Sequence, residues 1–296
     1  MTIKHFLSTK NLSKAEISAL LNAADNFAKK NPPPKVGKTI GTLFFEDSTR
    51  TKLSFEMAAL RLGIHPLSLN VATSSVQKGE TVLDTAQALA AMGINALVVR
   101  HQESGLPEFL SKNLPCAVIN AGDGINEHPT QALLDALTIR QHKGKIEGLK
   151  IAICGDIKHS RVARSNLHLL KTMGAEIVLC GPPALLPANM EVKAPLIPSL
   201  EEAIKDADVI MGLRIQKERM EKAAIPSGDW YFQHYGLTHE KIKGAKPDVI
   251  VMHPGPMNRG VEIDTKLADD PKYSVIQTQI ANGVAARMAV LDLLLS

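Results

Sequence analysis

The sequence predicts an α/β protein: two doubly wound parallel-sheet domains, with the C-terminal helix packing back on the first domain. Three features predict it. Strand-sized apolar runs alternate with helix-like segments through most of the 296 residues, the arrangement that parallel strands joined by crossover helices require. Gly63, Gly93 and Gly144 each stand just past a helical segment, where a left-handed stop is needed. The basic, glycine-containing stretch RQHKGKIEGLK (140–150) interrupts the alternation, after which it resumes.

The elements follow in order. TIGTLFFE (39–46) is a strand and TKLSFEMAALRLG (51–63) a helix; HPLSLNV (65–71) is a strand and TVLDTAQALAAMG (81–93) a helix. INALVVR (94–100), the short helix GLPEFLSKNL (105–114), CAVINA (116–121) and the long helix PTQALLDALTIRQHKG (129–144) complete the first half. In the second half LKIAICGD (149–156) leads into the helix SRVARSNLHLLKTMG (160–174). The strands AEIVLCGP (175–182) and DVIMGLR (208–214) flank the acidic helix LEEAIKDA (200–207), and DVIVMHPGP (248–256) is the last strand. The helix QTQIANGVAARMAVLDLLL (277–295) has an apolar face of Val284, Met288, Leu291 and Leu295, which predicts its return to the first domain. The expected domains are 1–143 and 144–276, with 277–296 as the returning helix.

Composition excludes several classes. With 45% apolar and 22% charged residues the chain is an ordinary globular protein. Its longest apolar runs fall short of a membrane span, and MTIKHFLSTKNLS lacks a signal-peptide core, so a cytoplasmic protein without membrane contact is expected. Cys116, Cys154 and Cys180 lie in apolar runs without metal-site spacing and read as buried thiols; no metal is expected. A net charge of +4, dispersed along the chain, argues against nucleic acid and suits small anionic substrates.

Ligands of open α/β sheets bind beyond the carboxyl ends of strands, and four polar clusters fall there. Ser48, Thr49, Arg50 and Thr51 stand where a strand becomes a helix; hydroxyls, a guanidinium and unpaired N–H groups suit a phosphate-sized anion. A capped helix with a surface arginine is the plain alternative. TSSVQKGET (73–81) offers Ser74 and Lys78 on a loop whose spacing is not that of a P-loop; a solvated loop is its plain alternative. Arg100 ends a strand, and His128, before Pro129, opens a helix with Gln131 on the same face, where a histidine can stabilise a developing oxyanion or simply cap the helix. In the second half Arg161 and Arg214 follow strands, as carboxylate-binding arginines or as exposed basic loops. The stretch His253-Pro254-Gly255-Pro256 presents carbonyls with few local donors, or a rigid turn.

Taken together and in this order, S-T-R-T followed by SFE, KGET, HPTQ, LRIQKER and HPGP resemble the aspartate carbamoyltransferase family over nearly the whole chain. The resemblance implies attack of the α-amine of L-aspartate on carbamoyl phosphate, the committed step of pyrimidine synthesis, with no cofactor. It implies that Ser48, Thr49, Arg50 and Thr51 bind the phosphate, with Thr51 also reaching the carbonyl oxygen. Arg100 and His128 would polarise that carbonyl, and Gln131 would hold the carbamoyl nitrogen. Lys78 and Ser74 would cross from a neighbouring subunit of a homotrimer to carbamoyl phosphate, with Lys78 also reaching aspartate, and either a carbamoyl phosphate oxygen or Lys78 would take the amine's proton. Arg161 would take the α-carboxylate of aspartate, and Arg214 with Gln216 its side-chain carboxylate. The carbonyls of Pro254 and Gly255, before Pro256, would face the carbamoyl amine. Gly255 departs from the larger aliphatic residue of many relatives. The form HPGPMNRGVEI resembles relatives without a regulatory chain; assembly with regulatory chains or a dihydroorotase stays open.

Three other classes are weighed. Ornithine carbamoyltransferases resemble the first half but carry HCLP in place of HPGP and lack LRIQKER, and Arg214 would repel ornithine's ammonium. A nicotinamide-dependent oxidoreductase is disfavoured because GDIKHS lacks the second and third fingerprint glycines. A non-catalytic anion-binding subunit would bind phosphate without turnover.

Overall fold

The computed structural model describes residues 3–30, 32–69, 79–189, 193–216 and 225–296. Residues 1–137 with 281–296 form one compact unit and 138–280 a second.

The first unit opens with a helix that the pattern of alternation did not mark, α1 (Lys14–Lys29). Its start is nonetheless written locally. The Ser13 side chain accepts from the Glu16 N–H, and the Glu16 carboxylate accepts from the Ser13 N–H, a reciprocal capping box. Ile17, Leu20, Leu21 and Ala24, at helical spacing, are its buried face. Then come β1 (Thr39–Phe44), α2 (Thr49–Arg61), β2 (His65–Leu69), α3 (Val82–Ala91), β3 (Ala96–His101), α4 (Leu106–Asn113), β4 (Ala117–Asp123) and α5 (Pro129–Lys143). The four strands are parallel in the order β2-β1-β3-β4. All seven residues of β4 are buried, whereas the edge strand β2 is largely exposed. Leu43, Leu97, Val99, Leu110 and Val118 form the core on one face.

The second unit repeats the scheme with β5 (Lys150–Cys154), α6 (Arg161–Thr172), β6 (Glu176–Cys180), β7 (Leu196–Ile197), α7 (Leu200–Ile204), β8 (Val209–Gly212), α8 (Gly228–Tyr235), β9 (Ile250–Met252) and α9 (Thr265–Ala268). Its parallel sheet runs β7-β6-β5-β8-β9. The predicted acidic helix shrinks to one turn and a half in α7, ending before Asp206, a non-glycine residue at φ 54°. Cys116, Cys154 and Cys180 are buried and form no disulfide.

The last helix, α10 (Ile276–Leu295), begins in the second unit and ends in the first, the return that the fold class predicts. There Lys35 pairs with Asp292 at 3.0 Å, and the Arg287 guanidinium lies 5.1 Å from the centre of the Phe55 ring. Met288, Leu291 and Leu295 are buried as expected and Val284 is half-buried; Ala285, Ala286, Ala289 and Val290 are buried too, so the helix is covered well beyond one stripe. Among the described residues no helix is long and apolar enough to cross a membrane.

Both sheets reverse their winding direction once, between β1 and β3 in the first and between β5 and β8 in the second. Such switch points open a crevice at the carboxyl edge. At the second one the backbones run very close. Gly155 donates to the Cys180 carbonyl at 2.8 Å and Leu213 to the Cys154 carbonyl at 2.7 Å. Gly155 has φ 140°, and a Cβ there would sit 2.6 Å from the Leu213 carbonyl oxygen. The substitution Gly155→Ala is therefore expected to destabilise the fold by about 1–3 kcal/mol or more. A thermal unfolding midpoint unchanged from wild type would show that the strand ends can part without cost.

Candidate active site

In the first unit the carboxyl ends of β1 and β3 are neighbours, with Phe44 opposite Arg100 in the parallel register. The chain leaving β1 starts α2 at once. Ser48 is its N-cap in backbone position, yet its side chain makes no capping hydrogen bond, so the hydroxyl is not consumed by the helix it precedes. Thr49 and Arg50 are the first helical residues, where N–H groups and the helix dipole favour an anion. Burial draws the Arg50 guanidinium's pKa below its ordinary value, and among the described residues no carboxylate pairs with it. Thr51, one position on, is buried, and its Oγ1 lies 3.5 Å from His128 Nε2.

Arg100 is held by an acid the sequence places just past β1. Its Nε donates to Glu46 at 2.9 Å and its Nη1 to the Ala121 carbonyl at 3.4 Å. His128 is fixed through the residue before it. Glu127 is buried, and its carboxylate accepts from Ser8 Oγ and from the N–H and Oγ1 of Thr9, at 3.0 and 2.9 Å for the latter two. The Glu127 carbonyl in turn accepts from the Asp123 N–H at 3.0 Å and from Asn120 Nδ2 at 3.4 Å. Buried carboxylates are tolerated when donors satisfy them, and here the donors come from the N-terminal segment.

Gln131 lies in the first turn of α5. Its Nε2 donates to Asp135 Oδ1 at 2.9 Å. A carboxylate only accepts, so this contact fixes the amide's flip and turns the acceptor Oε1 away from Asp135. Asp135 also provides the favourable charge for Arg287, which is fully buried in α10. Burial, and to a smaller degree the charge of Arg100, bring the Arg287 pKa down to about 9, and Asp135 opposes that shift. Arg287 Nη1 donates to the Gly283 carbonyl at 3.0 Å, while its Nε finds no partner among the described residues.

The second unit gathers its own cluster at the β5/β8 edge. Arg161 begins α6 and is buried; Ser160 caps the helix, its Oγ accepting from the Ala163 N–H at 3.1 Å. The preceding turn is tied by Asp156, whose Oδ1 accepts from the His159 N–H at 3.2 Å and faces His159 Nδ1 at 2.9 Å. Gln216, beyond β8, donates its Nε2 to the His159 carbonyl at 3.1 Å, which brings the β8 exit onto the turn that carries Arg161. Arg214 is half-buried two residues earlier. Beyond β9, His253 is buried; its N–H donates to Gln279 Oε1 and its Nδ1 accepts from the Gly255 N–H, both at 2.9 Å. Gly255 has φ 69°, and the Gly255–Pro256 peptide is cis.

Ser48, Thr49, Arg50, Thr51, Arg100, His128 and Gln131 thus share one sheet edge, and Arg161, Arg214, Gln216 and Pro254–Pro256 share the other unit's edge. Ser74 and Lys78, and the end of LRIQKER, lie outside the described residues. The acids that hold Arg100 and Gln131, Glu46 and Asp135, and those that tie the neighbouring turns, Glu127 and Asp156, have no role in the sequence reading. Asp135 was findable, standing four residues after Gln131 on one helix face, and Arg287 was findable as the one basic residue of an apolar helix.

Comparison with known proteins agrees over both units. A model described as the carbamoyl-P binding domain of aspartate/ornithine carbamoyltransferase matches residues 4–141, and the Asp/Orn binding domain of the same family matches 147–294. The aspartate carbamoyltransferase catalytic subunit of Granulibacter bethesdensis is 52% identical over 98% of this chain and 94% of its own. That of Brucella ovis is 53% identical, covering 99% and 92%. Among solved structures, aspartate transcarbamoylase from Trypanosoma cruzi in complex with carbamoyl aspartate and phosphate superposes with a TM-score of 0.87 at 33% identity, covering 97% of this chain and 94% of that one. Ornithine carbamoyltransferase from Pyrococcus furiosus gives a TM-score of 0.88 at 32% identity, covering 99% and 97%.

Asp135 is buried and accepts from the buried Gln131 amide. Asp135→Ala leaves that donor without its acceptor and is expected to cost about 1–3 kcal/mol of stability, read from urea unfolding. A loss below about 0.5 kcal/mol would mean that the Gln131 amide finds another acceptor.

Proposed function

The chain belongs to the aspartate/ornithine carbamoyltransferase family, and from that premise we propose that it transfers the carbamoyl group of carbamoyl phosphate to the α-amine of L-aspartate, giving N-carbamoyl-L-aspartate and phosphate for pyrimidine synthesis. Relatives about half identical in sequence carry that activity in their names. Residues 1–143 bind carbamoyl phosphate and residues 144–276 bind aspartate.

Ser48, Thr49, Arg50 and Thr51 take the phosphate. The amine's lone pair attacks the carbonyl carbon, negative charge grows on the carbonyl oxygen, and the C–O bond to phosphate breaks with its electron pair. Thr51, Arg100 and His128 meet that oxygen, and Gln131 accepts from the carbamoyl nitrogen, helped by the carbonyls of Pro254 and Gly255 before Pro256. Arg161 holds the α-carboxylate; Arg214 and Gln216 hold the side-chain carboxylate. The leaving phosphate offers an acceptor for the amine's proton. Barrier lowering comes from preformed donors and from positioning two anions that would otherwise repel each other. The observation that carries this reading is the 3.5 Å approach of Thr51 Oγ1 to His128 Nε2, with Thr51 next in the chain to Arg50, which pairs with no carboxylate among the described residues.

The active form is a homotrimer in the cytoplasm, with Ser74 and Lys78 donated across the interface. Leu53, Met57 and Leu60, at helical spacing on α2, are 55%, 45% and 59% exposed, an apolar stripe that a second copy would cover.

Assay of both amino acids with carbamoyl phosphate tests the substrate: aspartate is turned over, and preferential use of ornithine would overturn the assignment. Arg100→Ala is expected to lower kcat by about 10²–10³ while circular dichroism stays native; near-normal turnover removes Arg100 from the chemistry. Mixing inactive Lys78→Gln with inactive Arg214→Ala chains should restore part of the activity, and mixtures that never turn over would exclude shared sites.

A further inference from the structure

Glu262 stands near the end of the stretch HPGPMNRGVEI and has no role of its own in the sequence reading, yet it joins two of the clusters. It lies in the loop between β9 and α9 and is buried. Oε1 accepts from the Ile215 N–H at 2.7 Å and from Asn258 Nδ2 at 2.7 Å, and Oε2 accepts from the Asn258 N–H at 2.8 Å. Among the described residues no cation pairs with it. Burial raises its pKa, and the N–H donors of Ile215 and Asn258 oppose that shift, so they are its means of staying charged.

Those donors sit at informative places. Ile215 separates Arg214 from Gln216, and its own side chain is buried. In an extended segment neighbouring side chains alternate, so anchoring the Ile215 N–H and burying its side chain sets where both flanking side chains point. Asn258 stands two residues past Pro256, so the other two hydrogen bonds tether the end of the 253–256 loop. The anchor is itself rigid: the Leu237 N–H donates to the Glu262 carbonyl at 2.9 Å, the Asp264 N–H donates to the Leu237 carbonyl at 2.9 Å, and the Ile263 side chain is buried in the core.

We propose that Glu262 is a positioning residue for aspartate recognition, its carboxylate locking the Arg214–Gln216 segment to the 253–258 loop so that the side chains that grip the amino acid are pre-oriented. This rests on the assignment of Arg214 and Gln216 to aspartate. A neutral amide cannot replace the carboxylate, because its NH₂ would face an N–H donor whichever way it flips.

Steady-state kinetics on the full-length enzyme decides it, with Glu262→Gln, Asn258→Ala and, as control, Arg214→Ala. Glu262→Gln is expected to raise KM for aspartate by about tenfold or more while KM for carbamoyl phosphate stays within about twofold, and Asn258→Ala to shift it the same way by less. A purely structural role would move the melting temperature without separating the two KM values. If Glu262→Gln folds and keeps the wild-type aspartate KM while Arg214→Ala does not, the positioning role is overturned and the site assignment stands. If Arg214→Ala also leaves that KM unchanged, the assignment itself falls. Should Glu262→Gln fail to fold, an unchanged aspartate KM in Asn258→Ala overturns the proposal.

Discussion

A parallel sheet sends all of its strands out at one edge, and that constraint governs everything chemical about this chain. Helix N-termini and strand ends meet at the edge, and a reversal of winding leaves a gap there. β1 and β3 flank that gap in the first unit, β5 and β8 in the second. Ser48–Thr51 and Arg100 stand at the first; Arg161, Arg214 and Gln216 stand at the second. The same topology, used twice, yields two polar edges without any special local sequence beyond the residues themselves.

Holding cations for anionic substrates creates a second constraint: acids near the site must not neutralise the residues meant for the ligand. The buried and half-buried carboxylates obey it in different ways. Glu127 accepts from hydroxyl and backbone donors, and Glu262 from amide and backbone donors, with no arginine pairing with Glu262 among the described residues. Asp135 spends one oxygen on Gln131 and offsets Arg287, a side chain shut away in α10. Glu46 does pair with a site arginine, but through Nε, which orients the guanidinium of Arg100 from behind. Charge-assisted hydrogen bonds are the stronger kind, so each acid fixes geometry more firmly than a neutral partner would.

Much of this was legible. The alternation of apolar runs placed both sheets, because periodicity and glycine stops are local signals. Ser48–Thr51, Arg100, His128 and Gln131 were visible since chemistry-bearing residues cluster at strand ends. What escaped was of two kinds. Helix α1 carries its own capping box and a regular apolar face, but it lies outside the strand–helix alternation that guided the reading. Glu127, Asp135, Asp156 and Glu262 escaped because an acid's meaning depends on what folds against it. Nothing near Glu262 in the chain foretells a contact with the N–H of Ile215, 47 positions away.

The backbone does not choose the amino-acid substrate. A solved ornithine enzyme and a solved aspartate enzyme superpose on this chain equally well, with TM-scores of 0.88 and 0.87. Selectivity must therefore sit in a few side chains, and charge is the sharpest discriminator between a carboxylate and an ammonium. Two unit charges about 4 Å apart interact by about 4 kcal/mol at an effective dielectric near 20. Even half of that, about 2 kcal/mol for a half-buried arginine, is a factor of about thirty. The sign reverses for ornithine, so on the proposed assignment Arg214 acts on both substrates, drawing one in and turning the other away. Orientation then matters as much as presence, since a guanidinium that swings out into water loses most of this field.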